Sequence, residues 1–303
     1  MKIAYIEKTF QTATMEIVNQ ANRIITEYET QGFTLTLRQL YYQFVARDLI
    51  ENTVRSYKRL GNIVSDARLT GLIDWDAIED RTRNLTSPSF WSSPISIVRS
   101  AERGYRRDLW EGQKHRPEVW IEKDALVGVF AGICDELDVP YFACRGYNSQ
   151  SEMWGAGQRF VEYLDRGQAP VVFHFGDHDP SGLDMTRDTE DRLTLFMNQY
   201  ADIRRLALNW AQVEEYGPPP NPTKLTDSRA TVYIADYGPA SWELDAMEPA
   251  VLVGLVRSAI LSIRDEDVYA EVVERQEDER EELAAVRRNW ADVQLFLNGN
   301  HAE

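Results

Sequence analysis

The chain has 303 residues, 43% of them hydrophobic, which is enough for two domains with cores and excludes a disordered protein. It has no run of about 18 uncharged apolar residues and no apolar signal-peptide core at its start, so we expect no membrane partner and no secretion. The net charge is −16, but residues 1–123 carry +2 and residues 124–303 carry −18. A local basic surface for nucleic acid is therefore compatible with the acidic total.

The two cysteines, Cys134 and Cys144, have neither the spacing of a metal site nor the number needed for a disulfide framework. We expect them to be buried thiols in a reducing compartment. The expected location is therefore the cytoplasm, associated with the nucleoid if DNA is the partner.

Three helices are predicted at the N-terminus. Apolar residues at helical spacing predict the first over about 10–31, and Thr36 and Thr53 are predicted to cap the second and the third. Two helices joined by a tight turn indicate a helix-turn-helix, with residues 72–83 as its wing. We therefore predict a winged-helix DNA-binding domain over residues 1–85.

The third helix carries four basic residues, Arg55, Lys58, Arg59 and Arg68. This pattern is typical of a helix laid against the major groove of double-stranded DNA. An ordinary solvated helix face explains the same charges equally well.

Residues 86–116 are predicted to be a basic linker, with a loop followed by a helix near 99–107. Arg103, Arg106 and Arg107 are the candidates for contacts with DNA phosphates. The alternative is a solvated linker helix.

Acidic residues follow two predicted strands. Glu122 comes directly after one strand, and Asp177 and Asp179 come directly after a later apolar strand over 171–176. Ligands of open α/β sheets bind at the carboxyl ends of the strands. Carboxylates in this arrangement suit Mg²⁺ or Mn²⁺, so we predict a metal site of Glu122, Asp177 and Asp179. The alternative for the aspartates is a turn that starts the loop before Pro180.

The second half alternates predicted helices and strands, which favours a mixed α/β fold with a parallel sheet. We assign residues 117–303 to one metal-binding domain with a C-terminal helical extension from about Arg264. Helices are expected near 124–137, 150–166 and 182–198, and strands near 139–144 and 230–235.

Two further pairs of residues carry predictions. Glu243 and Asp245 could supply a second metal position, although a helix cap is the favoured alternative. His178 is expected to point into the loop toward phosphate or metal-bound water. His174 is expected to be a satisfied core residue.

Four motifs together resemble one known family. They are Arg38 to Tyr42, Ile121 to Ala125, Arg145 to Tyr147, and Asp177 to Gly182. In this order they resemble the A subunit of type IIB topoisomerases (topoisomerase VI) and the related initiators of meiotic recombination. The resemblance covers about residues 34–185 and implies a winged-helix domain followed by a Toprim domain. The segment after Tyr147 departs from the family pattern.

The resemblance implies roles for individual residues. Tyr42 would be the nucleophile that attacks a DNA phosphate, Arg38 would contact that phosphate, and Glu122 would serve as metal ligand and general acid. Lys123 is assigned to DNA contacts. The family also implies a homodimer on double-stranded DNA and an ATPase subunit on a separate chain.

Two other functions stay open. A Toprim nuclease would use the same carboxylates to activate water, with Tyr42 only packing the helical core. A non-catalytic winged-helix DNA-binding protein would use neither. A phenol with an ordinary pKa near 10 must lose its proton to attack phosphorus, so the nucleophile hypothesis requires a base or a polarising environment.

Overall fold

The computed structural model describes residues 1–78 and 90–299. Their contacts form two compact units. The first combines Met1–Arg83 with Pro117–Ser262, and the second combines Asn84–Arg116 with Ile263–Glu303. The end of the predicted wing and the start of the predicted linker lie outside the described residues.

The first unit begins with three helices that pack on one another: α1 (Thr12–Glu29), α2 (Leu37–Ala46) and α3 (Val54–Leu69). Both predicted caps are confirmed. The Thr36 side chain accepts a hydrogen bond from the Gln39 amide, and the Thr53 side chain accepts one from the Ser56 amide. These hydroxyls satisfy backbone donors that a helix start leaves without partners.

The core of this helical part includes residues from far along the chain. Ala246 belongs to the same buried cluster as the apolar faces of α1, α2 and α3. Glu248 accepts hydrogen bonds from the Tyr28 hydroxyl and from the Gln43 amide, the latter at 3.2 Å. The segment around 246–248 is therefore part of the N-terminal helical layer.

A four-stranded sheet forms the rest of the core of this unit. Its strands are β1 (His115–Ile121), β2 (Tyr141–Ala143), β3 (Ala169–Phe175) and β4 (Asp202–Ala207). Their order is β2-β1-β3-β4, and the β1–β2 and β3–β4 pairs are parallel. Because parallel strands need crossovers, helices stand between them in the chain: α5 (Val127–Glu136), α6 (Gln150–Asp165) and α7 (Pro180–Met197). The mixed α/β class is confirmed.

One prediction about secondary structure is wrong, and one strand was not predicted. Residues 230–235 were expected to be a strand, but they lie in helix α9 (Ala230–Tyr237). Their alternating β-branched and aromatic residues favour a strand locally, whereas tertiary packing of the buried Tyr233 selects the helix. The sequence analysis also missed β4, whose arginines and aspartate mask its strand character.

The remaining elements of the first unit are short or apolar. A two-residue antiparallel pair joins β5 (Asn221–Pro222) to β6 (Ala240–Ser241). Two further helices complete the unit: α8 (Trp210–Tyr216) and α10 (Pro249–Leu261).

The second unit is helical and laced with ion pairs. It contains α4 (Pro94–Gly104), α11 (Glu266–Arg288) and α12 (Trp290–Gly299), and α4 packs against α11. Arg107 pairs with Glu279 at 2.6 Å, and Arg287 pairs with Glu102. The C-terminal helix α11 and the predicted linker therefore exchange ion pairs of both polarities within this unit.

Three buried groups agree with the sequence analysis. Cys134 and Cys144 are free and buried, and burial raises the pKa of each thiol to about 12. His174 lies in the core of β3 and its Nδ1 is 2.8 Å from the Thr186 hydroxyl.

No helix among the described residues is both long and apolar enough to cross a membrane.

We predict that His174 makes the fold sensitive to acid. Burial lowers the pKa of His174 to about 3, so below pH 6.5 the unfolded chain binds a proton on this ring and the folded chain does not. This difference lowers the free energy of unfolding by about 1.4 kcal/mol for each pH unit between 6.5 and the folded pKa. In His174→Gln that part of the slope should vanish, as measured by urea denaturation from pH 7 to pH 5. The partly exposed His115 supplies the control, His115→Gln. An unchanged slope in His174→Gln would contradict the prediction.

Candidate functional site

The strand-end carboxylates lie together. The amide of Glu122 donates to the carbonyl of Phe175 at 2.8 Å, so the chain after β1 runs beside the end of β3. Oε2 of Glu122 accepts a hydrogen bond from the Asp177 amide at 2.7 Å. The sheet order that places β1 next to β3 therefore brings Glu122 to the Asp-x-Asp loop.

Asp179 and Gly182 shape the loop after β3. Oδ1 of Asp179 accepts from the Gly182 amide at 2.6 Å and caps α7. A Cβ atom at position 182 would lie 2.2 Å from the carbonyl oxygen of Asp177, so only glycine fits there. Asp179 is a predicted metal ligand, and the turn that was the alternative to metal binding is present at this residue.

Arg205 of β4 contacts the backbone of this loop, a role that was not predicted from the sequence. Its buried guanidinium donates to the carbonyl oxygens of Gly176, Asp177 and Gly182 at 3.0, 2.5 and 2.9 Å. Burial lowers its pKa to about 10. The signal in the sequence was a pair of adjacent arginines between Ile203 and Leu206, which becomes interpretable once β4 is known to pair with β3.

A segment from later in the chain pairs with the other side of the loop. The backbones of His178 and Trp242 exchange two hydrogen bonds, of 2.8 and 2.9 Å. The amide of Leu244 donates to Oδ1 of Asp177 at 2.7 Å. These three bonds bring Glu243 and Asp245 to the carboxylate loop.

Lys123 lies in the middle of the carboxylates. Its Nζ is 2.9 Å from Oδ2 of Asp177, 2.6 Å from Oε2 of Glu243 and 3.0 Å from Oδ1 of Asp245. Burial lowers the pKa of Lys123, but Asp245, Asp177 and Glu243 more than offset it, so the pKa is raised. The ammonium is therefore charged, and in this structure it pairs with carboxylates of its own chain.

Arg38 of α2 pairs with two of the same carboxylates. Its Nη2 contacts Glu243, and its Nε lies 2.7 Å from Oδ2 of Asp245. Burial raises the pKa of Glu243, but Lys123 and Arg38 outweigh it and lower that pKa to about 2. We call Arg38, Lys123, Glu243 and Asp245 the clamp.

Tyr42 joins the clamp through one amide. Nδ2 of Asn221 lies 3.4 Å from the Tyr42 hydroxyl and 3.2 Å from Oε1 of Glu243. Burial raises the pKa of Tyr42, and the Asp245 and Glu243 carboxylates raise it further, while Arg38 lowers it. The phenol is therefore protonated in this arrangement.

Its neighbour Tyr41 has a different environment. The Tyr41 hydroxyl donates to Oδ1 of Asn52 at 2.9 Å and lies 3.2 Å from the Thr53 carbonyl oxygen. Its ring packs edge-on against Tyr42 and Tyr57, with centroids 5.3 and 5.2 Å apart. Tyr41 thus has a packing role, and Tyr42 is the tyrosine with the less constrained hydroxyl.

The expectation for His178 is wrong. The ring is buried, with Nδ1 2.7 Å from the Tyr233 hydroxyl, and it packs among Trp210, Tyr237 and Trp242. Burial lowers its pKa to about 4. The His178 ring therefore packs into the protein core and not toward the loop opening, because aromatic residues that are distant in sequence surround it.

The basic residues predicted on α3 divide into two groups. Arg55, Lys58 and Arg59 are exposed. Arg68 is half-buried, donates to the Trp75 carbonyl at 2.6 Å and lies with its guanidinium 4.7 Å from the Trp75 ring centroid. Arg55, Lys58 and Arg59 are therefore accessible to a ligand, whereas Arg68 contacts and stabilises the segment after α3.

The basic residues near α4 divide in the same way. Arg103 and Arg106 are exposed, whereas Arg107 pairs with Glu279 and with Glu111. Their predicted contacts with DNA stay predictions.

The predicted metal ligands suit a hard cation by their chemistry. Glu122 and Asp179 each use one carboxylate oxygen in the hydrogen bonds described above, and Asp177 uses both. Burial raises the pKa of Glu122, and the nearby Lys123 and Arg205 cations partly offset that rise. Burial also raises the pKa of Asp177 to about 7, although the Lys123 ammonium beside it acts in the opposite direction. Over residues 1–78 and 90–299, no group of three or more His, Cys, Asp or Glu side chains is already gathered closely enough to hold a metal ion.

Comparison of the chain with models of known protein families and with curated proteins finds no match. The interpretation of the site therefore depends on its geometry and on the motifs.

We predict that the clamp contributes strongly to stability through Lys123. Lys123→Met leaves Asp177, Glu243 and Asp245 facing one another without the ammonium. Removing one member of a buried ion pair costs about 3–5 kcal/mol, and chemical denaturation should show a loss of that order.

Arg257→Met provides the matched control. Arg257 pairs with Glu136 at the surface, with side chains 42% and 55% exposed, so its loss should cost at most about 1 kcal/mol. Equal losses in the two variants would show that the clamp has no special stabilising role.

Proposed function

We propose that this protein cleaves DNA with the help of Mg²⁺, with Tyr42 as nucleophile, as in the A subunit of type IIB topoisomerases. One observation carries the proposal. The Tyr42 and Arg38 motif of α2 and the carboxylate motifs after β1 and β3 belong to a single network of hydrogen bonds and ion pairs through Asn221, Glu243 and Lys123.

In this proposal Glu122, Asp177 and Asp179 would hold the metal, which neutralises charge on the phosphate when bound. Arg38 contacts the phosphate. The Tyr42 phenol gives its proton to solvent water, and its oxygen forms a bond to phosphorus while the bond from phosphorus to the 3′ oxygen breaks, leaving a 5′-phosphotyrosyl end. The departing 3′ oxygen takes a proton from Glu122, whose raised pKa is the direction that a general acid needs.

The clamp has to open for this reaction. Arg38 and Lys123 are both paired with carboxylates of their own chain, and the same carboxylates help to keep the Tyr42 phenol protonated. A DNA phosphate is an anion that could replace Glu243 at Arg38. That exchange removes negative charge from beside Tyr42 and so favours its ionisation.

The protonated phenol also favours the second candidate, a Toprim nuclease. There the carboxylates activate water, and the buried Tyr42, which is 4% exposed, only packs the helical core. The two functions share the metal ligands and differ in the role of one hydroxyl.

A plasmid cleavage assay with Mg²⁺ separates them. Reactions are stopped with denaturing detergent and analysed with and without protease digestion. The wild type should yield cut DNA bound to protein until digestion, and both Tyr42→Phe and Glu122→Gln should lower cleavage by at least a hundredfold. Tyr41→Phe is the matched control, because Tyr41 is the adjacent tyrosine with a packing role, and it should retain covalent cleavage. Protein-free cut ends that persist in Tyr42→Phe and disappear in Glu122→Gln would instead establish the nuclease.

Mixing the two inactive variants tests the predicted homodimer in the same assay. If Tyr42 of one subunit acts at the carboxylates of its partner, a mixed dimer of Tyr42→Phe and Glu122→Gln contains one intact site and recovers activity. If Tyr42 acts at the carboxylates of its own chain, the mixture stays inactive.

A further inference from the structure

A cavity of about 400 Å³ opens beside Tyr42 in the first unit. The side chains of Tyr41, Tyr42 and Tyr57 line it together with Val54 and Pro222, and Arg38, Asn221 and Glu243 contribute polar atoms. Its volume lies at the small end of the range of about 300–1,000 Å³ for pockets that bind small molecules. A cavity of this volume can hold one small planar group, and it is too small for a DNA duplex.

The apolar lining favours a flat aromatic ligand. The three tyrosines form one row in which Tyr41 packs edge-on against both others. Hydrogen bonds to Asn52 and Thr53 fix Tyr41, and so fix the row. Tyr57 is only half-buried, so part of its ring is accessible. Nucleobases stack on such side chains whatever their identity, since every base has a π face.

The polar side chains of the cavity suit the edge of a base and its phosphate. The Arg38 guanidinium lies over the Tyr42 ring, 5.8 Å from the ring centroid. Nδ2 of Asn221 makes long contacts of 3.4 and 3.2 Å with the Tyr42 hydroxyl and with Glu243, so an acceptor with better geometry can replace them. A base edge offers such acceptors, and its phosphate offers a partner for Arg38.

We infer that this cavity binds an unpaired nucleobase next to the phosphate that Tyr42 attacks. The inference rests on the proposed function, because the position of the phosphate follows from Tyr42 and Arg38. A base enters a pocket only after leaving the stack, and this costs least for a base that is already unpaired. The protein should therefore prefer DNA with an unpaired base at the contact point over fully paired DNA of the same sequence.

The test compares two fluorescent duplexes that differ only by one bulged nucleotide, in binding titrations at one fixed salt concentration. The wild type should bind the bulged duplex about tenfold more tightly, the ratio that corresponds to about 1.4 kcal/mol of stacking. Val54→Trp places a bulky ring at the cavity, and Tyr57→Leu removes an aromatic wall while keeping an apolar side chain. Both should reduce the ratio to about one.

Val232→Trp is the matched control for the blocking variant. Val232 is 69% exposed and Val54 is 72% exposed, and Val232 does not line the cavity. Val232→Trp should keep the tenfold preference. Equal binding of the two duplexes by the wild type, or a preference that survives in both cavity variants, would overturn the inference.

The plasmid cleavage assay distinguishes a failure of the base site from a failure of the proposed function. Tyr42-dependent cleavage without a preference for the bulged duplex overturns the base site and leaves the proposed function intact. A preference that the cavity variants abolish, in a protein that gives no Tyr42-dependent cleavage, supports the base site and overturns the proposed role of Tyr42.

Discussion

The half-buried ammonium group of Lys123 lies among three carboxylates at the end of the sheet in the first unit. Lys123 follows β1, and its three carboxylate partners come from the loop after β3 and from the segment before α10. Without a cation at this place, these carboxylates would repel one another in a poorly solvated environment. The position of Lys123 thus allows acidic residues to collect at the sheet end, and Arg38 extends the same compensation to α2.

This charge balance links function to fold. Arg38 and Lys123, to which the proposed reaction assigns contacts with DNA, are paired with carboxylates in the folded chain. A polyanion that approaches Arg38 and Lys123 competes with Glu243 and Asp245 for the same cations. The binding energy of such a ligand is therefore reduced by the ion pairs that it replaces, and selectivity for phosphate in the right geometry is the expected gain.

Local features were predictable from the sequence. The caps at Thr36 and Thr53 and the glycine at 182 follow from short-range chemistry, and the apolar run before Asp177 predicted β3 correctly. Features that depend on distant partners were not predictable. The aromatic residues around His178 reach it only through the folded chain, and Arg205 gains its meaning from strand pairing.

The same distinction explains the wrong assignment of the 230–235 segment and the missing prediction of β4. The 230–235 segment has strand propensity, but packing of Tyr233 against His178 requires a helix there. Strand β4 tolerates charged residues because it lies at the edge of the sheet, where half of its surroundings are not core. The four clamp residues were all candidates in the sequence, but nothing indicated that they pair. Arg38 and Lys123 were assigned to DNA, and a second metal position and a helix cap were the alternatives for Glu243 and Asp245.

The pairing of His178 with Trp242 has a consequence for the order in which the site is made. A growing chain that has just reached Asp179 already contains Tyr42, Arg38, Lys123 and the strand-end carboxylates, but Glu243 and Asp245 have not been synthesised. Until they emerge, the two cations carry their charge without these partners, and the nascent protein is more basic at this point than the finished one. The site is thus completed late in synthesis, although most of its residues are made early.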